Sequence, residues 1–216
     1  MTDPAMIPAI KAAIHANELG PLSPYKLHFA KKGNSGASFG VFQNDTAANR
    51  AALVTLTEIL EGARLPAEQV QRITRLVGRP CPANPLSPAD DAAVNAALAS
   101  PEGHHRVDAL DTVQLHVVCG YLDQAVTASR APIDGEAQLA ICLWSNMTGK
   151  PTTVLTWLRG ASVTQAGGMV APPGDPVAFA GDMTRYLKST KFFIENPANW
   201  KHFAGSVAIG AALLPC

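Results

Sequence analysis

The chain has 216 residues, 47% of them apolar and 16% charged, which excludes an intrinsically disordered protein and fits one domain with a sizeable core. Lysine plus arginine and aspartate plus glutamate are equal at 17 each, so no overall field favours nucleic acid, an anionic membrane or an anionic cell wall. Any polyanionic partner has to be held locally.

The first residues, MTDPAMIPAIKAAI, carry an acid where a secretory leader needs bases, and two prolines and a lysine interrupt the apolar positions; no signal peptide is expected. The most apolar tail, AGSVAIGAALLPC, is shorter than the ~18 residues a membrane span needs, so no stable membrane insertion is expected. Four cysteines, at 81, 119, 142 and 216, form no CxxC pair and no cluster with histidine. Reduced, buried thiols are expected, with no metal and no cofactor.

In chain order, Met6, Ile7, Ile10 and Ile14 recur at helical spacing over residues 6–17, and Gly20 with Pro21 ends the pattern, which places Glu18 at or just past the last turn of a first helix. Between Pro24 and Gln43 two short runs, YKLHF and ASFGVF, are joined by the turn-rich AKKGNSG and read as a β-hairpin. Asp45 or Thr46 is the expected cap of a long helix over TAANRAALVTLTEILEGA.

The remainder reads as helix. LPAEQVQRITRLVG opens near a proline and stops at glycine, and Ser87 with Pro88 and two aspartates suits the start of LSPADDAAVNAALAS. GRPCPANPLSP, between them, is expected to be a surface connection within one domain. VDALDTVQLHVVCGYLDQAVTASR reads as a long central helix, and EAQLAICLWSNMTG, TTVLTWLRGASV and PVAFAGDMTRYLKST as three more, before a terminal helix over NPANWKHFAGSVAIGAALL. The expected fold class is α+β, predominantly α, as a single domain over 1–216 with a small β-hairpin after the first helix.

Glu18 has no acid near it in sequence, is flanked by Leu19 and Leu22, and precedes a hairpin bearing Tyr25, Phe29, Phe39 and Phe42. A carboxyl held against apolar walls keeps its proton toward neutral pH, which is what a general acid in glycosidic cleavage requires. A helix ending in Glu18, followed by the run SGASFGVFQND with Ser35, Gly36, Ser38, Phe39, Gly40, Gln43 and Asp45, resembles the lysozyme-like superfamily of goose-type and phage lysozymes and lytic transglycosylases. The resemblance covers about the first fifth of the chain. It implies a lysozyme-like helical domain with Glu18 as the acid, Ser38 and Gln43 beside the reacting sugar, and Ser35, Phe39 and Tyr25 lining the cleft.

The chain departs from the family pattern in the long spacer before the hairpin run and in LGPLSPY after the glutamate. Asp45 has two readings, a second carboxylate that positions water or the helix cap its place before TAANRAALV suits. Trp144, with Ser145 and Asn146 at a helix end, is the candidate for the far wall, although core packing is the ordinary role of a tryptophan in a helix. His104 and His105 are expected in a solvated loop, and Lys31 and Lys32 at the hairpin tip.

The expected function is cleavage of the β-1,4 linkage between N-acetylmuramic acid and N-acetylglucosamine, by hydrolysis or transglycosylation. Peptidoglycan glycan strands are the expected partner, reached after release or export by a route other than a leader peptide. The rivals are a chitosanase-like glycosidase and a non-catalytic glycan-binding or phage structural module.

Overall fold

A computed structural model describes residues 1–30 and 35–215. With 60% helix and 7% strand in small antiparallel sheets, the chain is α+β and mainly α. Its helices are α1 (Ile7–Glu18), α2 (Arg50–Gly62), α3 (Ala67–Val77), α4 (Pro88–Leu98), α5 (Pro101–Ala128), α6 (Gly135–Thr148), α7 (Thr152–Leu158), α8 (Thr184–Lys188), α9 (Lys191–Glu195) and α10 (Asn199–Ala211). The strands are β1 (His28–Phe29), β2 (Ala37–Phe39), β3 (Asn44–Asp45), β4 (Val163–Gln165) and β5 (Gly168–Val170). Two compact units result, one of Met1–Gly20 with Leu115–Cys216 and one of Pro21–Gln114. The Pro-rich segment 78–88 lies inside the second unit.

In the first unit α1 buries Ala9, Ile10, Ala13 and Ile14, the single stripe that its sequence spacing dictates, and packs against α10 and α6. Helix α6 is capped by Asp134, whose Oδ1 accepts from the Ala137 amide at 2.6 Å, and is buried along most of its length from Ala137 to Ser145. Trp144, Phe193, Trp200 and Phe203 form an aromatic cluster, with Phe193 edge-on to Trp200 at 5.3 Å and to Phe203 at 5.4 Å.

Two expected helices of this unit end early or break. The segment TTVLTWLRGASV is helical only to Leu158, after which VTQ and GMV pair as a hairpin, Val163 opposite Val170. PVAFAGDMTRYLKST holds a π-turn over Phe179–Met183 before α8. Asp182 accounts for the break: its carboxylate accepts from the amides of Gly174 (3.1 Å) and Ala178 (3.2 Å) and from Arg185. Met183 N closes back on Ala178 O at 3.0 Å, one residue wider than an α-turn.

The second unit has a three-stranded antiparallel sheet in the order β1-β2-β3, with His28 opposite Ser38 and Phe39 opposite Asn44. Strands β1 and β2 form the expected hairpin; the third strand follows because Gly40 (φ +80) and Gln43 (φ +49) turn the chain back on itself. Phe39 joins Leu56, Leu60, Ile73, Leu98 and Val107 in the core on which α2, α3, α4 and the start of α5 converge, each such side chain contributing about 1.5–3 kcal/mol by leaving water.

Helix α2 starts later than its sequence suggests. Its cap is Asn49, whose side chain accepts from Ala51 N at 3.0 Å, whereas Asp45 caps the preceding turn and the Thr46 hydroxyl donates to Ala37 O and Val77 O. Ser87 caps α4 as expected, accepting from Asp90 N at 3.1 Å. His104 and His105 lie in the first turns of α5 rather than in a loop, because Ser100 accepts from Gly103 N at 3.0 Å and Pro101 opens the helix. Among the described residues no helix is long and apolar enough to cross a membrane.

Candidate functional site

Glu18 is the last residue of α1, and its backbone ends a helix that His15 O closes by accepting from Leu19 N at 2.9 Å and Gly20 N at 3.1 Å. The side chain is half-buried. Asn146, in the last turn of α6, donates its amide to Glu18 Oε1 at 2.9 Å, and Asn17 donates to the same oxygen at 3.3 Å. His202 of α10 sits beside them with Nε2 2.8 Å from the Asn17 carbonyl. Burial pushes the Glu18 carboxyl above the ordinary glutamate range, and the two amides and the nearby imidazole pull it back only in part. The group is an acid on a rigid mount whose hydrogen-bond donors are neutral amides.

Two of the expected site residues, Glu18 and Asn146, are thus in direct contact. Trp144, two residues before Asn146, is 5% exposed and packs against Phe193 at 5.8 Å and Phe192 at 6.1 Å; its ring belongs to the core of the first unit.

The remaining expected residues belong to the second unit. Ser38 and Phe39 sit on β2 at 8% and 0% exposure, so Phe39 is a core side chain. Ser35 accepts from Cys81 N through its carbonyl at 2.9 Å. Gln43 is half-buried in the turn before β3 and donates its amide to Gly40 O at 3.2 Å. Asp45 Oδ1 accepts from Gly36 N (3.0 Å), Ala47 N (2.7 Å) and Ala48 N (3.2 Å). It ties β3 to the segment entering β2 and caps the 45–48 turn. Any Cβ at position 36 would lie 2.8 Å from both Ala47 N and Val77 O, so this glycine is required by close packing of the backbone.

Tyr25 stacks on His104 with ring centroids 3.6 Å apart and donates its hydroxyl to Asp108 Oδ1 at 2.9 Å. Burial first, and then Asp108 as acceptor and charge, push the phenol up to about 12. Tyr25 and His104 thus make a half-buried aromatic pair beside a carboxylate. Lys31 and Lys32 lie outside the described residues.

Three residues near these groups carry no sequence signal of their importance. Asn17 and His202 surround Glu18 through the packing of α1 on α10. Asp111, on α5, is 3% exposed and accepts from Val41 N at 2.7 Å and from Asn44 Nδ2 at 2.8 Å. Burial raises its carboxyl despite those donors, and it holds the 40–44 turn from below. Cys81, Cys119 and Cys142 are buried free thiols whose ionisation burial disfavours. Among the described residues no group of three or more His, Cys, Asp or Glu is placed to hold a metal ion.

Comparison of the chain with protein-family models, with curated proteins and with solved structures finds no match.

Proposed function

We propose that the protein is a lysozyme-like glycosidase that cleaves the β-1,4 linkage between N-acetylmuramic acid and N-acetylglucosamine in peptidoglycan, with Glu18 as general acid. The observation that carries the reading is the half-buried Glu18 carboxyl at the end of α1, raised by burial and held by neutral amides. A carboxyl so placed keeps a proton for the leaving oxygen at a pH where an exposed glutamate has lost it. Support comes also from the run Ser35–Asp45, which folds as antiparallel strands β2 and β3 with their connecting turn.

In this reading Glu18 gives its proton to the glycosidic oxygen as the bond to the muramic C1 breaks. The resulting carboxylate then takes a proton from whichever oxygen attacks C1, either a water or the substrate's own hydroxyl. Asp45 is committed to three backbone amides and Asp111 to the 40–44 turn, which favours a route that needs no second carboxylate, either transglycosylation or hydrolysis by a water that neutral side chains hold. The test is digestion of purified peptidoglycan by wild type and Glu18→Gln with analysis of the released ends.

A second reading has its own observation. Gly36, Phe39 and Asp45, which carry much of the likeness to the lysozyme pattern, all have structural duties in the second unit. A module that binds glycan without cutting it, or one that serves in assembly, would need these residues equally. Glu18→Gln separates the two, because a binder tolerates loss of the acid and a catalyst does not.

A further inference from the structure

The amides around Glu18 are arranged asymmetrically. Asn146 comes from α6 and Asn17 from α1, yet both donate to Oε1, at 2.9 and 3.3 Å. In a protonated carboxyl the carbonyl oxygen is the stronger acceptor, while the hydroxyl oxygen carries a hydrogen of its own. A proton on Oε1 would be driven against two N–H groups already pointing there. We infer that Asn146, assisted by Asn17, is a positioning residue that fixes Oε1 as the carbonyl oxygen of the Glu18 acid and leaves on Oε2, the oxygen those amides do not address, the proton that the acid transfers.

The inference rests on Glu18 acting as the general acid only for its last clause; the placement of the proton follows from the hydrogen bonds alone. It gives Asn146 a role distinct from touching sugar. Rotation of the carboxyl about its last bond would exchange the two oxygens, and the donor on α6 opposes that rotation from an element separate from the one that carries Glu18. Asn17 cannot do this alone, since it is the neighbouring residue on the same helix and shares that helix's motions. Proton transfer depends on the geometry of the donor oxygen, so an acid whose oxygens are distinguishable is worth more to catalysis than one that rotates.

Asn146→Ala and Asn146→Asp, each checked for folding by circular dichroism, provide the test. The first readout is the infrared carbonyl stretch of protonated Glu18, identified as the band that Glu18→Gln removes from wild type. Two N–H donors on the carbonyl oxygen lower that stretch, so it rises in Asn146→Ala, and the titration midpoint of the same band moves to higher pH because a donor that favours the carboxylate is gone. Asn146→Asp moves the midpoint further in the same direction by placing a second carboxylate against the first. A stretch and midpoint unchanged in both variants would overturn the inference.

The second readout is turnover. In Asn146→Ala, kcat on glycan strands falls roughly tenfold, the value of one hydrogen bond to a reacting carboxyl, with KM little changed and the alkaline limb displaced upward. A fall in KM-dependent binding with no change of pH profile would mark Asn146 as a sugar contact instead. If the infrared shift is found and wild type cuts no glycan, the placement of the proton stands and it is the proposed glycosidase function that fails.

Discussion

A Cβ at position 40 would lie 2.5 Å from Oδ1 of Asp111 and 2.8 Å from Nδ2 of Asn44. Gly40 also has φ +80, a conformation in which side chains are strained. The turn between β2 and β3 is therefore built around a buried carboxylate that only a glycine can approach. Gly40→Ala is expected to destabilise the protein by about 2–4 kcal/mol, combining backbone strain with a displaced buried acceptor. Urea unfolding followed by circular dichroism measures it. A change below the error of that measurement would show that the turn relaxes freely.

Asp111→Asn tests the same contact from the other side. Val41 N and Asn44 Nδ2 address different oxygens of Asp111, so an amide has to present an NH2 to one of them. A loss of about 2–3 kcal/mol is expected, and a neutral substitution would show that the turn does not depend on an acceptor at both oxygens of residue 111.

The raised carboxyl of Glu18 fixes the sign of its linkage to stability. Its folded pKa lies above the unfolded value, so the contribution is fully present below the unfolded pKa and is lost as pH rises through the folded pKa. Glu18→Gln removes that loss. The variant should match wild type in acid and exceed it in stability at pH 8, as read by denaturant melts at the two pH values. Equal stability of the two proteins at both would mean that Glu18 is solvated.

Asp90 has the opposite sign. Arg72 donates to it from Nη2 at 2.7 Å and from Nε at 3.3 Å, with Gln69 at 2.9 Å, and Arg72 first and then Gln69 hold the carboxyl below its ordinary range. This stability is present above the unfolded pKa and lost as pH falls through the folded one. Asp90→Asn should cost about 1 kcal/mol at neutral pH, since Arg72 is half exposed to solvent, and the difference should vanish in strong acid. Thermal melts across pH measure it.

The helical elements were legible where the signal was local. The Ile7–Ile10–Ile14 spacing, Ser87 with Pro88, and Pro66 with Gly78 all mark helix faces or ends that the chain adopts. Where tertiary partners decide, sequence gave no warning. The cap of α2 moved to Asn49 because Asp45 is spent on Gly36 and Ala47, and Asp182 broke a helical pattern by binding amides eight and four residues before it. The same distinction runs through the candidate site. Glu18 could be picked out from its isolation in the sequence, and Asn146 from its place at a helix end. Asn17, His202 and Asp111 could not, since they matter only through the packing of α1 against α10 and through the enclosed turn after β2. Trp144 illustrates the converse, an aromatic with an obvious capacity to stack on a sugar whose ring the fold encloses.

Digestion of purified peptidoglycan by wild type and Glu18→Gln, matched for folding by circular dichroism and read by mass spectrometry of the released muropeptides, bears most directly on the central claim. Wild type is expected to cleave and the variant to leave the strands intact, with 1,6-anhydro ends from transglycosylation or reducing ends if water attacks. Equal cleavage by both proteins would contradict the role of Glu18, and no cleavage by either would overturn the assignment as a peptidoglycan glycosidase.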